Sequence, residues 1–162
     1  MPRILFVCTA NLYRSPLAAA LFSRELQTDG RSQGWTVESA GTWTIPGQRI
    51  PSDFVMVAGA VQVNLENHGT RQVTDEMLAR SDLIVVMEQG HREALRVEFP
   101  GARPKIHLLS TLADALEYDI PDPVNSNMPL EDIAAELARL VHRAFPRICQ
   151  LALATRPVEP LR

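Results

Sequence analysis

Apolar residues along the chain follow two rhythms. Ile4-Leu5-Phe6-Val7 is a short, unbroken apolar run, as expected of a strand buried on both faces of a parallel sheet. Trp35 to Ser39, Asp82 to Met87 and Lys105 to Leu109 read as three more strands. Between them the apolar positions recur at helical spacing. Pro16 opens a helix through Leu26, with Ser15 before it as N-cap. Ser52 to Glu66 reads as a second helix, closed by Asn67-His68-Gly69. Thr74 caps a short helix to Arg80, and Gln89 to Glu98 forms another. A long amphipathic helix is expected from Leu130 to about Leu153, bent or interrupted near Pro146. Glu117 to Pro129 is rich in proline and asparagine and reads as a loop.

Strands alternating with helices predict the α/β class: one four-stranded parallel sheet with helices on both faces. The 162 residues suit a single domain, assigned to 1–154, with 155–162 a frayed polar tail. The composition, 46% hydrophobic and 22% charged, supports a sizeable core. A formal net charge of −3 offers no general affinity for nucleic acid or acidic membranes. The first apolar run is too short for a signal peptide, and no run is long enough to span a bilayer. A soluble cytoplasmic protein is expected, with Cys8 and Cys149 reduced. No Cys/His cluster has metal-ligand spacing, so neither metal nor cofactor is expected.

The candidate chemistry lies where the first strand ends. Cys8-Thr9-Ala10-Asn11-Leu12-Tyr13-Arg14-Ser15 has the form Cys-x5-Arg-Ser. Alone so short a motif is weak, and Cys8 could be a small hydrophobe at a strand end. Between a buried strand and a helix start it gains meaning, because open α/β sheets bind ligands there. Backbone N–H groups of residues 9–15 can converge on one anion, helped by the positive end of the helix. Arg14 adds a planar fork for two phosphate oxygens. A cysteine thiolate in that field is a nucleophile for phosphorus, and hydrolysis then proceeds in two steps. Ser15 could hydrogen-bond the sulfur and improve it as a leaving group. A carboxyl must protonate the departing oxygen. Tyr118-Asp119-Ile120-Pro121-Asp122-Pro123 offers Asp122, stiffened by two prolines, with Asp119 as rival.

Val7-Cys8-x-x-Asn11-x-x-Arg14-Ser15-Pro16, with Asp122-Pro123 far downstream, resembles the low-molecular-weight protein tyrosine phosphatases. Ser39-Ala40-Gly41-Thr42, His68-x-x-Arg71 and Ser81-Asp82-Leu83-Ile84 before Met87 fall where that family has similar segments. The resemblance implies a phosphocysteine intermediate at Cys8, phosphate binding by Arg14, and Asp122 as general acid. It further implies that Asn11, Ser15, Ser39 and His68 hold the loop by hydrogen bonds, and that Leu12 lines the substrate cleft. Its partners would be phosphotyrosine proteins, a tyrosine kinase among them. His91, His107 and His142 read as structural or surface residues.

Four positions depart from that pattern. Ala10 replaces a common glycine, a source of strain if the position needs positive φ. Tyr13 replaces a second cysteine, and Ala19 a glutamate. Val124 stands where an aromatic often walls the cleft, and Trp43 could supply a wall from the other side. The leading expectation is hydrolysis of phosphotyrosine, whose long flat side chain reaches a deep loop. Protein-arginine phosphatase, arsenate reductase and a non-catalytic phosphate-binding module are the alternatives. Leu12 favours a phenyl ring over a guanidinium, and arsenate reduction would need Cys149 as a relay.

Overall fold

Four parallel strands organise the molecule: β1 (Arg3–Cys8), β2 (Thr36–Gly41), β3 (Leu83–Val86) and β4 (Ile106–Leu108), in the order β2-β1-β3-β4. The computed structural model describes residues 1–155, and the expected frayed tail lies outside them apart from Thr155. The first strand is central, pairing Ile4 to Val7 with Val37 to Ala40 on one side and Leu83 to Val86 on the other. Its side chains alternate between two cores, as a pleated strand requires. Ile4, Phe6 and Cys8 face one core, whereas Leu5 and Val7 face the other. That alternation explains the unbroken apolar run.

Helices α1 (Arg14–Thr28), α2 (Ser52–Ala60), α5 (Leu109–Asp114) and α6 (Leu130–Ala154) supply the first core, including Leu17, Leu21, Phe54, Leu112, Leu137 and Ile148. The opposite face is covered by α3 (Asp75–Arg80) and α4 (Gln89–Glu98) through Met77, Leu78 and Leu95. Because β2 and β3 lie on opposite sides of β1, the chain changes direction around β1. Ligand crevices form outside the carboxyl ends of strands at such switch points.

Several elements depart from the expected boundaries. Helix α2 stops at Ala60, six residues short of Glu66. Gln62 adopts φ 64°, and the N–H groups of Val61 and Val63 both donate to the Ala58 carbonyl. Val61, Val63 and Leu65 then reach the core from irregular chain, at a spacing of two that no helix could bury on one side. Asn67-His68-Gly69 is therefore part of a loop, bridged to Arg49 through Gly69. The short helix α5 and a 3-10 segment at Pro100–Lys105 add two unanticipated elements. Helix α6 continues through Pro146 without interruption. Ser15 is not an N-cap, since α1 begins at Arg14 with Tyr13 before it.

Candidate active site

Cys8 ends β1 and Arg14 begins α1, so five residues turn the chain between them. The turn depends on Asn11, whose φ is 58°, a left-handed conformation that asparagine tolerates better than most residues. Ala10 is not among the positive-φ residues. The strain expected from an alanine at that position therefore does not arise. The buried Asn11 amide uses its polar atoms in full. Its Nδ2 donates to Ser15 Oγ and to Ser39 Oγ, both at 2.9 Å. Its Oδ1 accepts the Arg71 N–H at 3.0 Å, and the Asn11 carbonyl lies 3.0 Å from His68 Nε2. The carbonyl can only accept, so His68 donates from Nε2. Burial, the larger effect, pushes the His68 pKa down, with the Arg71 charge acting the same way.

Ser15 Oγ accepts from Asn11, which leaves its proton for Cys8 Sγ at 3.0 Å or the Ala40 carbonyl at 3.4 Å. Thus Asn11, Ser15, Ser39 and His68, the residues expected to support the loop, converge behind it. Gly41, legible in the sequence only as part of Ser39-Ala40-Gly41-Thr42, has a role of its own. A Cβ there would lie 2.5 Å from the Thr9 carbonyl oxygen and 3.1 Å from two further backbone atoms of the loop. Only glycine lets β2 pass this close. The Thr42 N–H donates to the Cys8 carbonyl and the Trp43 N–H to that of Thr9. Gln72 clasps the same segment, accepting from the Thr44 N–H and donating to the Thr42 carbonyl.

Opposite Cys8, Arg14 is held on three sides. Nη1 donates to Glu88 Oε1 and to the Ile120 carbonyl at 2.8 Å, and Nη2 lies 3.4 Å from Asp122 Oδ2. The two candidate acids separate clearly. Asp122 lines the cavity and fixes its own turn by accepting the Val124 N–H at 2.9 Å. The Asp119 carboxylate instead accepts the Gln89 N–H at the start of α4, at 2.8 Å.

These groups enclose a cavity of about 230 Å³. Cys8 and Arg14 are each only 2% exposed, whereas Trp43 and Val124 are 73% and 71% exposed. The cavity therefore runs from a polar, buried floor to an apolar rim. Leu12 and Tyr13 line it as well, and the Tyr13 ring packs edge-on against Phe54 at 5.0 Å. Asn125 also lines the cavity, and Glu88 and His91 flank its floor. None of these three has a site role legible from a motif, and His91 reads in the sequence as a structural or surface residue. Glu88 and His91 directly follow β3, the strand beside β1, and that position was the available signal.

A parallel sheet with a cysteine-to-arginine loop at the end of its central strand defines a small α/β protein built around a pocket with a buried polar floor. The chain belongs to the low molecular weight phosphotyrosine protein phosphatase family, whose model matches residues 3–150. It is 36% identical over 123 residues to the low molecular weight protein-tyrosine-phosphatase Wzb of Escherichia coli strain K12, covering 74% of this chain and 76% of that one. It is 28% identical over 144 residues to the protein-arginine-phosphatase of Bacillus subtilis, covering 84% and 94%. Among solved structures, a YwlE mutant from Bacillus subtilis superimposes with a TM-score of 0.83 at 25% identity, over 92% of this chain and 99% of that one. The Escherichia coli K30 tyrosine phosphatase Wzb, in complex with sulphate, gives 0.74 at 26% identity, over 91% and 96%.

Proposed function

We propose that this member of the family hydrolyses phosphotyrosine in proteins, with Cys8 as nucleophile. The observation that carries this reading is the cavity's gradient, from Cys8 and Arg14 at its buried floor to Leu12, Trp43 and Val124 above. A phosphate at the end of a phenyl ring matches both ends. The first step forms a bond from Cys8 sulfur to phosphorus and breaks the bond to the tyrosine oxygen, which takes a proton from Asp122. In the second step Asp122 takes a proton from water, the water oxygen attacks phosphorus, and Cys8 leaves as thiolate. Arg14 and the N–H groups of the loop bind the equatorial oxygens of both transition states. Ser15, at 3.0 Å from the sulfur, stabilises the departing thiolate. Asn11, Ser39 and His68 keep the loop in its binding shape.

Leu12 at the wall favours a phenyl ring over a guanidinium. Cys149, which arsenate reduction would need as a relay, is buried on α6, and burial pushes its thiol pKa up. Reduced cysteines fit a cytoplasmic enzyme, whose substrates would include a phosphorylated tyrosine kinase. Among the described residues no helix is long and apolar enough to cross a membrane. The test is turnover of a phosphotyrosine peptide against phosphoarginine, phosphoserine and arsenate. Preference for phosphotyrosine supports the reading, and preference for phosphoarginine overturns it.

A further inference from the structure

His91 stands outside the catalytic assignments above, yet it touches the phosphate loop. The backbone N–H of Glu88 donates to His91 Nδ1 at 3.2 Å. An N–H cannot accept, so Nδ1 carries the lone pair and the ring proton sits on Nε2. Burial favours this neutral ring and pushes its pKa down, among the charges of Glu88, Arg14, Asp119 and Asp122. His91 Nε2 lies 2.8 Å from Thr9 Oγ1. With this tautomer the imidazole donates and the hydroxyl accepts, so the hydroxyl proton of Thr9 must point elsewhere.

No acceptor among the described residues takes that proton, and Thr9 lines the cavity together with Cys8 and Arg14. We propose that His91 sets the Thr9 hydroxyl as a hydrogen-bond donor to the phosphoryl group bound in the cavity. Thr9 then touches the substrate through its side chain as well as its backbone, and His91 is a positioning residue acting through it. A hydroxyl whose acceptor side is already engaged presents its proton without reorganising during the reaction, which is the condition for electrostatic stabilisation of a transition state. The proposal rests on the phosphatase reading for its substrate, but the hydroxyl's role can be read from binding of inorganic phosphate alone.

The experiment measures phosphate affinity by calorimetry, and kcat/KM on an aryl phosphate, for the full chain and four variants. Thr9→Val keeps the shape and removes the hydroxyl, and it should weaken phosphate binding and lower kcat/KM about tenfold. Thr9→Ser keeps the hydroxyl and should stay within about threefold of wild type, because only a methyl is lost. His91→Gln is too short to serve both the Glu88 N–H and Thr9, and it should cost about fivefold with Thr9 present. In the double variant Thr9→Val with His91→Gln, the His91 change should add less than about twofold, since neighbours acting through one bond are not additive. Phosphate binding by Thr9→Val equal to wild type overturns the proposal. So does an equal cost of His91→Gln in both backgrounds, which would make His91 a purely structural cap of α4. Wild-type turnover separately decides the phosphatase reading.

Discussion

Gly41→Ala is the substitution whose effect follows most directly from geometry. A Cβ at residue 41 meets the Thr9 carbonyl oxygen at 2.5 Å, inside the 3.0 Å that real Cβ contacts observe. Both partners are backbone, so no side chain can swing aside. Either β2 or the loop must give by at least about 0.5 Å, and the atoms that give are those flanking Cys8. Overpacking of this kind destabilises by roughly 1–3 kcal/mol. Misplacing a reacting group by ~1 Å can cost about 10²-fold in rate, so half that displacement should lower kcat about tenfold or more. The two effects are read separately, by thermal unfolding and by kcat on an aryl phosphate at a temperature well below Tm. Phosphate affinity should fall alongside kcat, since the loop N–H groups move with Thr9. Wild-type kcat and phosphate affinity in Gly41→Ala would rule out a rigid contact between β2 and the loop. They would show that the contact relaxes elsewhere.

Asp122→Asn should cut turnover of a poor leaving group such as phenol by about 10²–10⁴, and far less for a strongly acidic phenol. Asp119→Asn should show no such dependence, because its carboxylate caps α4, and the reverse pattern would transfer the acid role to Asp119. Lys105, the only lysine, donates from Nζ to the carbonyls of Leu78, Ala79 and Ser81 at 3.1, 3.0 and 2.9 Å. Lys105→Met should destabilise by about 2–3 kcal/mol in thermal unfolding, with kcat unchanged, and an unaltered Tm would contradict this. His68, His91 and His107 all have pKa values pushed below 6.5 by burial. Each binds a proton less readily folded than unfolded, so their contribution is intact above pH 6.5 and is lost as pH falls through the depressed values. Tm should therefore drop between pH 7 and 5, before carboxylates titrate, and a flat profile there would be inconsistent with neutral buried rings.

Much of the sheet was legible because buried parallel strands carry continuous apolar runs, as in Ile4 to Val7 and Leu83 to Val86. Element limits failed where local pattern and tertiary structure compete. Val61, Val63 and Leu65 look like a continuing helix in composition, but their spacing of two marks irregular chain feeding the same core. The residues of the loop were legible from their spacing together with their place between a buried strand and a helix start, whereas their partners were not. Asn11 is satisfied by Ser39, His68 and Arg71, between 28 and 60 positions away, and such pairing exists only once the sheet has formed. The positive φ at Asn11 rather than Ala10 has the same origin, since the hydrogen bonds of its own side chain hold the turn. Glu88 and His91 were missed for a different reason. They act from the chain after the neighbouring strand, so only that position, and no motif, linked them to Cys8.

Hydrolysis through Cys8 requires a covalent phosphocysteine during turnover. Rapid mixing of the enzyme with an aryl phosphate, quenching within one turnover and mapping of the peptides tests it directly. One phosphoryl group per chain is expected, held on the Cys8 sulfur, formed as fast as the phenol is released and absent from Cys8→Ser. Turnover in which phenol is released with no phosphoryl group on Cys8, or with the group on another side chain, would contradict it.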